Sequence, residues 1–185
     1  MRVARAFLCF LVVAGIAACQ TTPAPAPAAA PAAAAAKPYG SLAQVMRGIP
    51  FPNSNIIFDT QTNDPAKPKP VDPKGGGGAT STYANTYGGW AQVENAAVAL
   101  SEVANLVTIP GRLCENGLPV PVGDATFQKG VKALSDAGEA ALKAAKSKNL
   151  DAMVDVSGTI SDACLVCHEK YREVPTGKMR CVPIP

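Results

Sequence analysis

Apolar residues recur three and four positions apart in four separate stretches of the chain, the spacing that gives an α-helix one buried face. The first stretch begins at Ser41, which forms a capping-box pattern with Gln44. Pro50 and Pro52 interrupt it. Because each proline lacks a backbone donor and crowds the preceding turn, we expect this helix to kink or break before it resumes towards Phe58. Its apolar positions are Leu42, Val45, Met46, Ile49, Ile56 and Ile57.

Three more helices are predicted from the same spacing. The second runs from about Asn85 to Ile109 and stops at Pro110-Gly111. Asp124 is a suitable N-cap for the third, and Asn149 or Asp151 starts the fourth. The inward positions are Trp90, Val93, Ala97, Leu100, Ala104 and Val107, then Phe127, Val131, Leu134, Gly138, Ala141 and Ala145, then Met153, Val156, Ile160, Ala163, Cys167 and Tyr171. Four helices with short final connections favour an all-α fold, an antiparallel four-helix bundle.

The N-terminus has the features of an export signal. Arg2 and Arg5 precede an apolar run, residues 6–18, that is too short to span a bilayer as a permanent helix, so we expect residues 1–18 to be removed. Ile16-Ala17-Ala18-Cys19 resembles the lipobox of bacterial lipoproteins, in which the cysteine becomes the lipidated N-terminal residue. Cys19 is therefore the predicted lipidation site. The alternative is cleavage further on, which would leave Cys19 as a free thiol.

Two segments carry too few apolar side chains, or too many prolines, to form regular structure. Residues 19–38 are rich in alanine and proline and are predicted to be a semi-extended tether. Residues 63–82 combine prolines, lysines and four consecutive glycines, and we predict a flexible loop. A phosphate-binding loop is disfavoured because no Lys-Ser or Lys-Thr follows the glycines. Residues 39–185 are therefore predicted to form one folded domain.

The fourth predicted helix contains Cys164-Leu165-Val166-Cys167-His168, which includes the only histidine of the chain. Two thiols three residues apart can each form a thioether to one vinyl group of a haem, and the adjacent imidazole can ligate the iron. We therefore predict one covalent haem c on Cys164 and Cys167, with His168 as the proximal iron ligand. A thioredoxin-like pair would need βαβ patterning, and a zinc site would need a second pair of ligands; the sequence has neither. A chance histidine beside a surface Cys-x-x-Cys is the remaining alternative.

The remaining cysteines predict a disulfide, and the net charge disfavours nucleic-acid binding. Once the export signal, the lipid and the haem are assigned, Cys114 and Cys181 remain, and two thiols in an oxidising compartment should pair. The alternative is two separate thiols. The chain has 17 basic and 14 acidic side chains, and loss of Arg2 and Arg5 leaves 15 against 14. A chain so close to neutral has no basic patch that suggests nucleic-acid binding.

His168 is followed at short spacing by Tyr171 and Arg172, very near the C-terminus. This pattern resembles the cytochrome c′ family, whose four-helix bundle carries C-x-x-C-H-x-x-Tyr-Arg on its last helix. The matching residues are Cys164, Cys167, His168, Tyr171 and Arg172. The resemblance covers roughly residues 40–174 and implies a haem covered by the helices that precede the motif. The chain departs from the family in its broken first helix, its long Gly/Pro loop and its additional cysteines Cys114 and Cys181.

The resemblance also implies roles for single residues. The first helix of the family supplies the group over the distal face of the haem, which makes Met46 the predicted sixth ligand; the alternative is a core methionine that packs without coordinating. Met153 lies on the same helix as His168, about 22 Å away along its axis, and cannot reach the other face. Met179 would be drawn elsewhere by a bridge at Cys181.

Arg172 is expected near the proximal imidazole or a haem propionate, where its charge would raise the reduction potential. The alternative is a solvated arginine that favours the helix dipole. Tyr171 is interpreted as packing rather than chemistry.

Two functions follow from the distal position. With His168 and Met46 both bound, the protein would be a periplasmic electron carrier without enzymatic activity, serving redox partner proteins of the respiratory chain or periplasm. With an open distal position, it would be a module that binds nitric oxide or carbon monoxide. A peroxidase would need a distal acid-base pair, usually with a second histidine, which the chain lacks. A lipid on Cys19 would anchor the domain to a membrane, and the family resemblance adds a homodimer as an expected partner arrangement.

Overall fold

In a computed structural model of the chain, the structure describes residues 36–67, residues 88–172 and Cys181, all within one compact unit, residues 35–185. The regular structure of these residues is helical, with no β-strand and a single bridge between Leu113 and Pro119. The all-α prediction is confirmed at this level. The helices are α1 (Leu42–Gly48), α2 (Pro50–Phe58), α3 (Gly89–Val107), α4 (Ala125–Lys146) and α5 (Leu150–Tyr171), and one turn of 3-10 helix (Asp59–Gln61) follows α2.

The first predicted helix is broken, as its prolines indicate. α1 ends at Gly48, Ile49 has a non-helical backbone, and Pro50 occupies the first turn of α2, where a missing N–H costs nothing. At the start of α1, the Ser41 hydroxyl accepts from the backbone N–H of Gln44 and the Gln44 side chain accepts from that of Ser41. Both halves of the predicted capping box are therefore confirmed.

The other helix starts follow from local side-chain chemistry. Asp124 caps α4 by accepting from the backbone N–H groups of Thr126 and Phe127, and Asn149 caps α5 by accepting from that of Ala152. Of the two predicted starts for the last helix, Asn149 is thus the cap. The described part of α3 begins at Gly89, and its predicted start at Asn85 lies outside the described residues.

The helices bury a continuous apolar core. α3 packs along α4, α4 packs along α5, and α2 packs against both α3 and α5. Alanines at the α3–α4 interface let these two helices approach closely, while larger side chains fill the centre. The largest fully buried side chains are Ile57, Leu100, Val103, Val107, Met153 and Ile160.

Several predictions fall on residues that the structure does not describe. These are the export signal over residues 1–18, the lipidation site Cys19, most of the tether, residues 68–82 of the predicted loop, and Met179. Within the described ranges, no helix is both long enough and apolar enough to cross a membrane.

Candidate functional site

Cys164, Cys167 and His168 lie on the last two turns of α5, at the edge of the core. All three side chains are half-buried, between the buried Ala163 and Tyr171. Because these five positions are spaced three and four residues apart, they share one side of the helix. The motif therefore faces the core without being closed off by it.

α4 leaves room for the second cysteine. The Cys167 sulfur lies 4.0 Å from the backbone oxygen of Phe127, one turn before Gly130. A Cβ built on Gly130 would overlap that sulfur, so the absence of a side chain at this position lets the two helices approach. Gly130 is noticeable in the sequence because it interrupts a segment of otherwise good helix formers. The sequence does not indicate which residue it contacts.

The surroundings keep all three motif side chains neutral. Burial raises the pKa of both thiols; the positive charge of Arg172 opposes this at Cys164, whereas the neighbouring Cys164 adds to it at Cys167. Burial also lowers the pKa of His168, and Arg172 lowers it further. Reactive thiols of redox enzymes have a lowered pKa instead. At neutral pH the site thus offers two protonated thiols and a neutral imidazole, the form of histidine that ligates metals.

Arg172 follows directly after α5 and is exposed, and its backbone N–H donates to the carbonyl of His168 at 3.2 Å. Its charge acts on both Cys164 and His168. The structure therefore places this arginine beside the motif. A role towards a haem propionate stays a prediction.

The end of α5 is attached to the start of α4 by a polar cluster that no sequence pattern predicts. The Asp124 carboxylate accepts from the Tyr171 hydroxyl at 2.5 Å and from the Lys170 ammonium at 3.0 Å, in addition to its capping bonds. These donors hold the pKa of Asp124 far below its usual range, the Tyr171 bond having the largest effect. Burial, and then the bond to Asp124, raise the pKa of Tyr171. Tyr171 also packs edge-on against Phe127, with ring centroids 5.6 Å apart, which agrees with its predicted packing role.

Residues 108–123, here called the α3–α4 loop, attach α1 to the same end of the molecule. The backbone N–H of Leu42 donates to the carbonyl of Leu113 at 2.8 Å. The buried guanidinium of Arg112 donates to the carbonyl of Leu106 at 3.0 Å and to that of Gly40 at 2.7 Å. The end of α3 and the start of α1 are thus joined through one side chain.

The same loop carries two further connections. Arg47 of α1 forms a two-pronged ion pair with Glu115, with N–O distances of 3.0 and 2.8 Å. Cys114 and Cys181 lie at disulfide distance, with Cα atoms 5.6 Å apart, and form the bridge that the two unassigned thiols predict. Both cysteines are buried.

Met46 is half-buried and packs against the core cluster from α1. α1 contacts α2 and α3, but no Cα of α1 lies within 8 Å of a Cα of α5. Met46 thus lies on a helix that is attached to the α3–α4 loop and has no Cα within 8 Å of the helix that carries His168. Ligation by Met46 stays a prediction.

Among the described residues, no group of three or more His, Cys, Asp and Glu side chains converges to hold a metal ion. The zinc alternative gains no support there. No protein-family model, curated protein or solved structure matches the chain. The resemblance to the cytochrome c′ family therefore rests on the motif residues of this sequence.

Proposed function

We propose that this protein is a periplasmic c-type cytochrome that carries one covalent haem and transfers single electrons between redox partner proteins. One observation carries the proposal: Cys164, Cys167 and His168 share one half-buried side of α5, in the protonation states that thioether formation and iron ligation use. A bound haem would supply an iron centre that accepts and releases one electron.

The residues present fit this group. Each thiol would add across a vinyl double bond, the sulfur bonding one carbon and the thiol hydrogen passing to the other, so no oxidant is needed. The protonated thiols supply the hydrogen that this addition needs. The neutral imidazole of His168 has a free nitrogen lone pair, and burial, with the charge of Arg172 beside it, lowers the pKa of the ring and disfavours its protonation. Because the three motif side chains are only half-buried, a macrocycle bonded to them can pack against the apolar residues beside them without displacing the core.

The packing of the helices supports the bundle that the resemblance implies. α2 and α4 each pack against both α3 and α5, while α2 does not contact α4 and α3 does not contact α5. This is the neighbour pattern of four helices around one core. The three-residue connection between α4 and α5, residues 147–149, favours an antiparallel pair. We therefore propose an antiparallel four-helix bundle of the cytochrome c′ type, with the haem at the end of α5.

The distal position separates two versions of the function. In the first, Met46 would ligate the iron, and a fixed ligand set would keep reorganisation small during electron transfer. In the second, Met46 is a core side chain that packs against the apolar cluster from α1, and the distal side stays open to a small gas. The protein would then bind nitric oxide or carbon monoxide.

The test is covalent attachment. We expect the full-length chain, produced in a bacterial host with a c-type haem maturation system, to yield a tryptic peptide containing residues 164–168 that carries one haem. Cys164→Ser with Cys167→Ser should abolish the attachment, whereas Cys114→Ser with Cys181→Ser should retain it, because those sulfurs lie in the separate disulfide. A peptide free of haem from the unaltered chain would refute the proposal. The N-terminal mass of the same sample reports whether Cys19 is acylated.

A further inference from the structure

α4 carries two buried glycines, Gly130 and Gly138, eight residues apart. Glycine inside a helix is less favourable than alanine, so each position needs a structural reason. Because successive residues are about 100° apart around a helix, eight residues amount to a rotation of about 80° beyond two full turns. The two glycines therefore face different neighbours: Gly138 meets Ser101 of α3, and Gly130 meets Cys167 of α5.

The two contacts differ in what they approach. A Cβ on Gly138 would lie 2.6 Å from the Ser101 hydroxyl and 2.7 Å from its backbone nitrogen, so this glycine is needed for the close crossing of two helix backbones. A Cβ on Gly130 would overlap the sulfur of Cys167, while the Cβ and the backbone nitrogen of Cys167 would stay 3.4 Å away. The conflict at Gly130 is thus with the sulfur alone.

We propose that Gly130 is a positioning residue for Cys167, which keeps the sulfur of the second thioether directed into the α4–α5 interface. This inference rests on the proposed function for the role of that sulfur. Any side chain at position 130 would turn the sulfur away from α4 or push α5 outwards, and the first response moves it from the half-buried side that it shares with Cys164 and His168. Gly138 has no such role, since the three atoms nearest to a Cβ built there all belong to Ser101 of α3.

The chain offers matched controls for a substitution at Gly130. Gly138→Ala also introduces a clash on the same helix, but with the hydroxyl and the backbone of Ser101, away from the motif. Gly158→Ala lies on α5 itself, and its Cβ would meet no atom within 4 Å. Each full-length variant is produced with the haem maturation system, and peptide mass analysis measures the fraction of chains bonded through Cys164 and through Cys167.

We expect Gly130→Ala to lower attachment through Cys167 several-fold while attachment through Cys164 persists. Its haem absorption should shift to longer wavelength, because one vinyl group stays unsaturated. Gly138→Ala should lower the melting temperature but keep attachment through the two cysteines equal, and Gly158→Ala should change neither. Equal attachment through both cysteines in Gly130→Ala, or the same loss in Gly138→Ala, would overturn the inference.

A second pair of variants tests the steric claim without reference to haem. In the full-length chain produced without haem, Gly130→Ala should lower the melting temperature. In a Cys167→Ala background it should leave that temperature unchanged or raise it, because the sulfur is gone and alanine favours the helix. If Gly130→Ala alone yields no soluble protein, the double variant still tests the steric claim, because adding Cys167→Ala should restore soluble protein. Absence of this rescue would contradict the inference, whereas absence of haem from the unaltered chain would contradict only the proposed function.

Discussion

The two halves of α5 are held in the molecule by different kinds of contact. The first half is closed by apolar packing: Met153 and Ile160 are fully buried, and Ser157 between them bonds to Gln61 at 2.9 Å. In the second half, Cys164, Cys167 and His168 are only half-buried, and Leu165 between the cysteines is 49% exposed. Polar contacts to Asp124 hold this half in place.

The difference separates stability from chemistry within one helix. Core positions whose only role is packing, such as Met153 and Ile160, are filled to the density of a protein interior. The motif positions are oriented towards the core by the same helical spacing, but their cover is incomplete. A bound macrocycle would supply the apolar contacts that the polypeptide leaves unmade there. Substitutions in the two halves should therefore have separable effects.

The largest effect is expected at the only histidine. His168→Ala should remove the sole protein imidazole available to the iron and impair haem attachment, so the ordinary c-type absorption spectrum should be lost. The optical spectrum of the purified variant, compared with the unaltered chain at equal protein concentration, checks this. An unchanged haem spectrum would disprove the assignment of His168 as the proximal ligand.

The opposite result is expected in the first half of α5. Ile160→Ala should destabilise the fold by about 2–5 kcal/mol, because it leaves a cavity in a fully buried site, yet it should leave the haem spectrum unchanged. Val154→Ala, at a position on the same helix that is 38% exposed, should stay within about 0.5 kcal/mol. Denaturant unfolding gives both values. Loss of the normal spectrum in Ile160→Ala would show that the two halves are not separable.

A smaller effect is expected where the α3–α4 loop holds α1. Arg112→Met should cost about 1–3 kcal/mol, because the carbonyls of Leu106 and Gly40 lose a buried donor. If Met46 ligates the iron, the weak methionine-to-iron band in the red should also diminish as α1 loosens. Arg47→Met removes only an exposed ion pair with Glu115, which solvent screens, so its effect should be smaller and should vanish at high salt. Equal losses in the two variants would refute the distinction.

The smallest effect is a pH dependence at the end of α5. The pKa of Asp124 is lower in the folded protein than in the unfolded chain, where a value of about 4 applies, so its ionised form stabilises the fold above that pH. This contribution is lost as the pH falls from about 4 towards the folded pKa. The melting temperature of the unaltered chain should therefore exceed that of Asp124→Asn near neutral pH, and the gap should shrink below about pH 4.

Asp136→Asn is the control for this titration, because Asp136 forms only an exposed pair with Lys132. Its melting-temperature difference should be much smaller at every pH. A gap for Asp124→Asn that stays constant across the acid range would show that the cap and the hydroxyl bond act without the charge.

The features that the sequence predicts depend on residues close together in the chain. The caps at Ser41, Asp124 and Asn149, the break at Pro50 and the helical faces follow from residues within about one turn of each other, where propensity and capping decide the structure. The motif was equally local. The pairing of Cys114 with Cys181 was reached by allocating the other thiols, and it agrees with their distance in the structure.

The remainder depends on contacts between residues far apart in the chain. Arg112 bonds to Gly40 and Tyr171 to Asp124 across 72 and 47 positions, and Gly130 is explained only by a sulfur on the next helix. No periodicity marks such partners, because tertiary packing selects them. The same reason leaves Met46 open: its helical face was predicted, but its distance to the iron depends on how α1 sits when the cofactor is bound.

The most direct test of the central claim is the optical spectrum of the purified full-length protein, oxidised, reduced, and reduced with carbon monoxide. We expect a c-type haem spectrum of low-spin form, with a weak band in the red, unaffected by carbon monoxide. That band should be lost in Met46→Leu but kept in Met153→Leu, a buried methionine of the first half of α5. A high-spin spectrum that shifts with the gas would replace the electron carrier with the gas-binding version. No haem spectrum in protein matured with haem available would contradict the account.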